Sequence, residues 1–178
     1  MWIGVGSNMG DRLAFCRRGV VEISAIDGLR VSAISSLYET APMDNVDQDP
    51  FYNAVVEVAT SLAPADLLRR CQQIEARCGR IRTIAKGPRT LDLDLLAYHP
   101  PIEHEGEPTL PHPAMAERPF VLVPLDEIAP DFLHPTLNAS PKQMLDRLER
   151  LAPVTKIDDA AWLAFSKATC IWQHREVS

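Results

Sequence analysis

The run Leu91-Asp92-Leu93-Asp94-Leu95-Leu96 alternates leucine with aspartate, and few patterns restrict a fold as tightly. In a strand, residues i and i+2 share a face, so Asp92 and Asp94 point one way while Leu91, Leu93 and Leu95 point into a core. Two rises of ~3.3 Å hold the carboxylates roughly 6.6 Å apart, and at an effective dielectric near 20 their repulsion is about 2.5 kcal/mol. In water it would be about a quarter of that. A buried strand of this kind needs a cation. Mg²⁺ fits oxygen-only donors, because it takes one or two carboxylates and completes its shell with water and phosphate oxygens. The competing reading is a solvent-facing Asp-x-Asp on an edge strand.

The residues just before this strand favour an anionic ligand. Arg77, Arg80, Arg82, Lys86 and Arg89 fall within thirteen positions that hold no acidic residue, in a chain of net charge -6. Arginine suits phosphate because its planar fork gives paired hydrogen bonds, whereas a solvated face mixes both signs. Gly79, Gly87 and Pro88 break the segment into a loop, so the cations lead directly into the aspartates. The pattern indicates a phosphate-plus-Mg²⁺ site, with a structural charge network as the alternative.

With 178 residues the chain is one domain, or one domain and a tail, with room for a substantial core. The acidic balance argues against general nucleic-acid or membrane-surface binding. No apolar run approaches a membrane span, and Met1 to Asn8 lacks the pattern of a signal peptide, so a cytoplasmic location is expected. Cys16, Cys71, Cys78 and Cys170 have no zinc-like spacing and read as reduced thiols.

Met1 to Ser7 reads as a strand, Asp11 to Ile26 as a helix, Leu29 to Tyr38 as a second strand and Phe51 to Ser61 as the clearest one. Pro64 opens a helix whose apolar face is Leu67, Leu68, Cys71, Ile74 and Cys78, and Thr90 to Tyr98 is the next strand. The order β-α-β-β-α-β matches the ferredoxin-like split unit, an α/β (α+β) fold, better than a small doubly wound one. Nine of the fifteen prolines lie between Pro100 and Pro135, which predicts an irregular stretch with short strand or helix pieces around Phe120 to Ile128. Ser140 and Pro141 start a helix expected to reach about Leu151. Residues 153–178, with Trp162 and Trp172, read as a terminal helix packed on the core.

On the strand from Phe51, period two places Phe51, Asn53, Val55 and Glu57 on one face. Asparagine is depleted in strands. An amide beside a ring can hold a flat heterocycle by hydrogen bonding and stacking; the plain alternative is that Asn53 satisfies a bulge or strand end. Thr40-Ala41-Pro42-Met43 and Pro111-His112-Pro113 are rigid stretches, and Arg118 before Pro119-Phe120 repeats the pairing of cation and aromatic.

These residues together resemble the 6-hydroxymethyl-7,8-dihydropterin pyrophosphokinases of folate synthesis. The likeness runs through Val5-Gly6-Ser7-Asn8, Tyr38 to Pro42, Phe51 to Val55, Glu75, Gly79 to Arg82, Gly87 to Leu96, Pro111 to Pro113, Arg118 to Phe120, Pro124-Leu125 and Glu127 to Pro130. It implies a three-layer α/β/α ferredoxin-like core with extra C-terminal elements, a catalytic domain over residues 1–152 and an extension over 153–178 on the same domain. It implies transfer of the pyrophosphoryl group of ATP to the pterin hydroxymethyl group, with Asp92 and Asp94 holding two Mg²⁺ ions. The resemblance assigns Arg82 and Arg89, with the two aspartates, to catalysis. It assigns Gln72, Glu75, Arg80, Arg82, Lys86, Arg89, Leu95, Thr109, His112 and Arg118 to ATP, and Gly6, Thr40, Pro42, Met43, Phe51, Asn53 and Phe120 to the pterin. The Pro42 to Pro50 and Arg82 to Gly87 loops correspond to segments that close over substrates. Expected partners are the two small substrates, without nucleic acid or membrane, on a monomer or a weak homodimer. Ala85, Lys86 and Pro113 depart from the family pattern, and Phe51 stands where tyrosine is common.

Overall fold

The structure is a computed structural model that describes residues 1–42, 48–80, 87–98, 107–148 and 153–174. Strand β1 (Trp2–Ser7) leads to helix α1 (Arg12–Ser24), where the Asp11 carboxylate accepts the Ala14 N–H at 2.9 Å and caps the first turn. Cys16, Gly19, Val20 and Ile23, three and four residues apart, form its buried stripe. Gly19 is there for contact: a Cβ would sit 2.9 Å from Leu91 Cδ1, so the helix lies directly on the chain entering the aspartate strand.

Strands β2 (Leu29–Ile34) and β3 (Leu37–Thr40) occupy the same edge of β4 (Phe51–Thr60), β2 against Val56 to Thr60 and β3 against Phe51 to Asn53. The single strand expected over Leu29 to Tyr38 is therefore broken at Ser35-Ser36. There the Ser35 hydroxyl accepts the Val55 N–H at 2.9 Å, and Ser35 N–H donates to the Val55 carbonyl at 2.9 Å. A side chain has taken one place in the ladder, which halts regular pairing. Helix α2 (Pro64–Arg77) begins with proline and buries Leu67, Cys71, Ile74 and Glu75, before β5 (Asp92–Ala97).

The sheet order is β5-β1-β4-β3-β6, with β2 also on β4 and every neighbouring pair antiparallel. Through β5 this is the ferredoxin-like arrangement, and antiparallel pairing excludes the doubly wound alternative. Two cores sandwich the sheet. Ile3, Val5, Val20, Ile23, Val56, Leu93 and Trp162 pack together on the side of α1 and α2, while Trp2, Val55, Leu96, Val121, Leu122 and Leu125 pack on the other.

In the proline-rich third, the piece expected around Phe120 to Ile128 is a helix, α3 (Pro119–Ile128); Pro119 occupies its first turn, where the missing N–H costs nothing, and Pro124 lies inside it. Two expectations need correction. Helix α4 (Pro141–Asp146) has the capping box between Ser140 and Gln143 but stops well before Leu151; its buried face is only Pro141 and Met144. Residues Val154–Ile157 form strand β6, paired with β3, before helix α5 (Ala160–His174), where the sequence reading has only a helix. Four residues are too few for alternation to show. Among the described residues no helix is long and apolar enough to cross a membrane.

Candidate active site

Strand register assembles the site. Across the adjacent strands β5, β1 and β4, Asp92 lies opposite Gly6 and Gly6 opposite Asn53; one step along, Asp94 lies opposite Gly4 and Gly4 opposite Val55. These positions face α3, while Leu93 and Leu95 face the helices on the far side. The glycines leave the middle of each row bare. A Cβ on Gly6 would reach within 3.1 Å of Asn53 Oδ1, so a side chain there would crowd the floor. Two strand spacings of ~4.8 Å put the Asn53 and Asp92 backbones about 10 Å apart, with open floor between them.

Above this floor is a cavity of about 220 Å³, lined by Gly6, Thr40, Ala41, Pro42, Gln48, Phe51, Asn53, Arg89, Asp92, Asp94, Ala114, Glu117, Arg118 and Phe120. The two faces of the sequence reading, the acidic one and the aromatic one, thus meet in a single space. Asn53 is buried, and its Nδ2 donates to Thr40 Oγ1 at 2.7 Å, which fixes the amide orientation. Each ring carries an arginine: the Arg89 guanidinium is 5.4 Å from the Phe51 centroid, and that of Arg118 is 5.7 Å from Phe120.

Arginines hold both carboxylates. Arg80 and Arg89 donate to the two oxygens of Asp92, Arg89 at 2.6 Å, and Arg118 donates to Asp94 at 3.2 Å. Arg80 also pairs with Glu75, whose Oε1 accepts the Leu93 N–H at 2.8 Å and so anchors the outer edge of β5. Burial, and then the Asp92 charge, raise the Asp94 carboxyl above its ordinary value, although its tip opens into the cavity. His112 is lowered, chiefly by burial and then by Arg118. Its Nδ1 accepts the Ala114 N–H at 3.1 Å, so the neutral ring carries its proton on Nε2, 3.5 Å from Arg118 Nη1. Two donors side by side suit an anion between them. The buried Arg89 Nε has no partner among the described residues, a further donor for an acceptor.

The donor set suits Mg²⁺. Two carboxylates supply hard oxygens with no thiolate beside them, and no group of three or more metal-ligating side chains exists among the described residues, so other oxygens must complete any shell.

The structure gathers Gly6, Thr40, Pro42, Phe51, Asn53, Arg89, Asp92, Asp94, Arg118 and Phe120 around the cavity, with Arg80 and His112 directly behind their partners. It does not bring in three residues expected at the nucleotide. The Leu95 side chain is buried by period two in the opposite core, and Gln72 and Thr109 are exposed and outside the cavity. Glu75 is buried and acts on Arg80 and β5 rather than facing the cavity. Met43, Arg82, Ala85 and Lys86 lie outside the described residues. Sequence reasoning misses Gln48, Ala114 and Glu117 in the lining and names Asn8 only within the stretch Val5-Gly6-Ser7-Asn8, without a role. The partners of Asn8 are 81 and 40 residues away, which no local signal reports.

Residues 2–130 match the family model described as 7,8-dihydro-6-hydroxymethylpterin-pyrophosphokinase. The chain is 46% identical over 132 residues to the 2-amino-4-hydroxy-6-hydroxymethyldihydropteridine pyrophosphokinase of Methylorubrum extorquens, covering 74% of this chain and 84% of that protein. It is 41% identical over 147 residues to the folic acid synthesis protein fol1 of Schizosaccharomyces pombe, covering 83% of this chain; it spans only 20% of that relative's length. The wild-type HPPK-DHPS of Plasmodium falciparum superposes with a TM-score of 0.60 at 16% identity, over 82% of this chain and 43% of that one, a likeness of fold. By the extent of the family match and the identity to relatives of similar length, the chain belongs to the 7,8-dihydro-6-hydroxymethylpterin-pyrophosphokinase family.

Proposed function

We propose that this protein transfers the pyrophosphoryl group of ATP to the hydroxymethyl group of 6-hydroxymethyl-7,8-dihydropterin, releasing AMP, as a step of folate synthesis. The observation that carries the proposal is the single row Asp92, Gly6, Asn53, which sets a carboxylate site and a flat amide-and-aromatic pocket on one floor. The catalytic unit is residues 1–152, with 153–178 as an extension of the same domain, and the protein acts as a monomer or a weak homodimer.

In the reaction the hydroxymethyl oxygen bonds to the β-phosphorus of ATP, the bond from that phosphorus to the AMP oxygen breaks, and the hydroxyl proton passes to solvent. Such transfers depend on alignment and charge stabilisation more than on covalent help from the protein. Phe51 and Phe120 stack on the pterin, and Asn53, held by Thr40, hydrogen-bonds its edge. Asp92 and Asp94 would hold two Mg²⁺ ions, which would supply positive charge at the phosphate oxygens. The arginines now on the aspartates would then be available to the phosphates: Arg89 with its Nε, which has no partner among the described residues, and Arg118 beside the Nε2 proton of His112. Exchange of partners keeps every charge compensated, so neither state leaves a buried carboxylate alone. Arg82 and Lys86 contribute further cations on the nucleotide side.

The test mixes protein, Mg²⁺-ATP and the pterin and follows the nucleotide product. AMP formed only when pterin is present is expected. ADP, or turnover indifferent to pterin, would point to a different nucleotide-dependent transferase, and no turnover to a binding module. EDTA should stop the reaction and excess Mg²⁺ restore it.

A further inference from the structure

We propose that Asn8 is a positioning residue that ties the two walls of the cavity together, the phosphate wall at Arg89 and the pterin wall at Gln48 to Phe51; the inference rests on the proposed transfer. Asn8 follows β1, is buried and does not line the cavity. Its Oδ1 accepts the Arg89 N–H at 2.7 Å, and its own N–H donates to the Arg89 carbonyl at 3.1 Å, so the Arg89 backbone is held at both of its polar groups. Its Nδ2 donates to Gln48 Oε1 at 3.1 Å and to the Asp49 carbonyl at 3.3 Å.

One carboxamide thus spends its acceptor on one wall and its donors on the other. That division requires asparagine. Aspartate keeps the acceptor and has no donor at neutral pH, and alanine has neither. Each wall acts on the site through its own residue. The fixed backbone of Arg89 aims its guanidinium at Asp92, 2.6 Å away, and Gln48 lines the cavity just ahead of Phe51. Arg12 secures the second wall independently, donating to the Pro50 carbonyl at 2.7 Å and lying 3.9 Å over the Tyr52 ring. Loss of Asn8 therefore displaces both walls without dissolving either.

Two readouts test this on the full chain: steady-state AMP formation with each substrate varied, and amide hydrogen exchange over residues 48–52 and 87–91 without substrates. Asn8→Ala should speed exchange in both segments, lower kcat about tenfold or more and raise the pterin KM. Asn8→Asp should speed exchange only at 48–52 and raise the pterin KM about tenfold with a smaller loss in kcat. Wild-type exchange in both segments of Asn8→Ala, or the same kcat and KM changes in both variants, would overturn the proposal. Should Asn8→Ala fail to fold, Gln48→Ala decides. It should raise the pterin KM and loosen 48–52 alone, and loosening of both segments or of neither refutes the tie. If the wild-type protein makes no AMP from pterin, the functional reading fails while the exchange pattern still decides the role of Asn8.

Discussion

Asp94 shows how much one side chain carries. Burial and its neighbour Asp92 both work against its charge, and His112, Arg118 and Arg89 oppose them, Arg118 by a direct hydrogen bond at 3.2 Å. Replacing it by alanine removes half of the carboxylate site, and because metal-borne charge stabilisation contributes several kcal/mol, turnover should fall by about three orders of magnitude or more. Near-normal AMP formation in Asp94→Ala would place the metal elsewhere. Phe120→Ala should instead weaken pterin binding by about 1–3 kcal/mol on stacking grounds, measured by equilibrium titration, with ATP affinity little changed. Gly6→Ala tests the floor. Its Cβ would meet Asn53 Oδ1 at 3.1 Å, which forces the amide that faces the pterin to shift, so pterin affinity should drop about tenfold with the fold retained.

The elements differ in how far the sequence exposes them. β5 shows in its Leu–Asp alternation and α2 in its apolar spacing, because each sets an apolar face against a polar one, whereas β4, buried between the two cores, shows as an apolar β-branched run. The β2–β3 break does not show, since it depends on Ser35 bonding to Val55 on another strand. For α3 the prolines leave strand and helix undecided, although Pro119 only marks its start. Near its far end Glu127 accepts hydrogen bonds from Ser36 N–H at 2.8 Å, the Ser36 hydroxyl at 2.7 Å, Tyr38 at 3.0 Å and Lys156 at 3.1 Å, joining α3 to β3 and β6. Burial alone would raise the Glu127 carboxyl; the Ser36 donors, with Lys156 and Tyr38, outweigh it and hold it below its ordinary value. A lowered folded value means the stabilisation is complete above the unfolded glutamate pKa of about 4.3 and is lost as pH falls through the folded one. Thermal unfolding should therefore show wild type above Glu127→Gln at neutral pH, with the gap closing in acid; a gap independent of pH would assign the effect to packing.

At the scale of the whole molecule, the segment beyond the family match is built into the fold. Trp162 of α5 is buried in the core, and its Nε1 donates to the Ser35 carbonyl at 3.0 Å, at the kink that sets where β3 meets β4. Trp162→Ala should cost about 3–5 kcal/mol in urea unfolding, as large core truncations do. Trp162→Phe, which keeps most of the ring volume and loses the hydrogen bond, should cost less; equal losses would mean the bond and not the packing dominates. The sequence by itself determined the strands and helices with one apolar face, the shared direction of Asp92 and Asp94, the pairing of Phe51 with Asn53, and the family. Those are short-range properties, set by a period of 2.0 or 3.6 residues. Only the tertiary structure decided that Asp92 and Asn53 share one row across bare Gly6, with Asp94 in the neighbouring row across Gly4. It also placed arginines on the carboxylates, turned Leu95 away, added β6 and made Asn8 a bridge. Each of these depends on register and approach between segments tens of residues apart, and no local pattern encodes them.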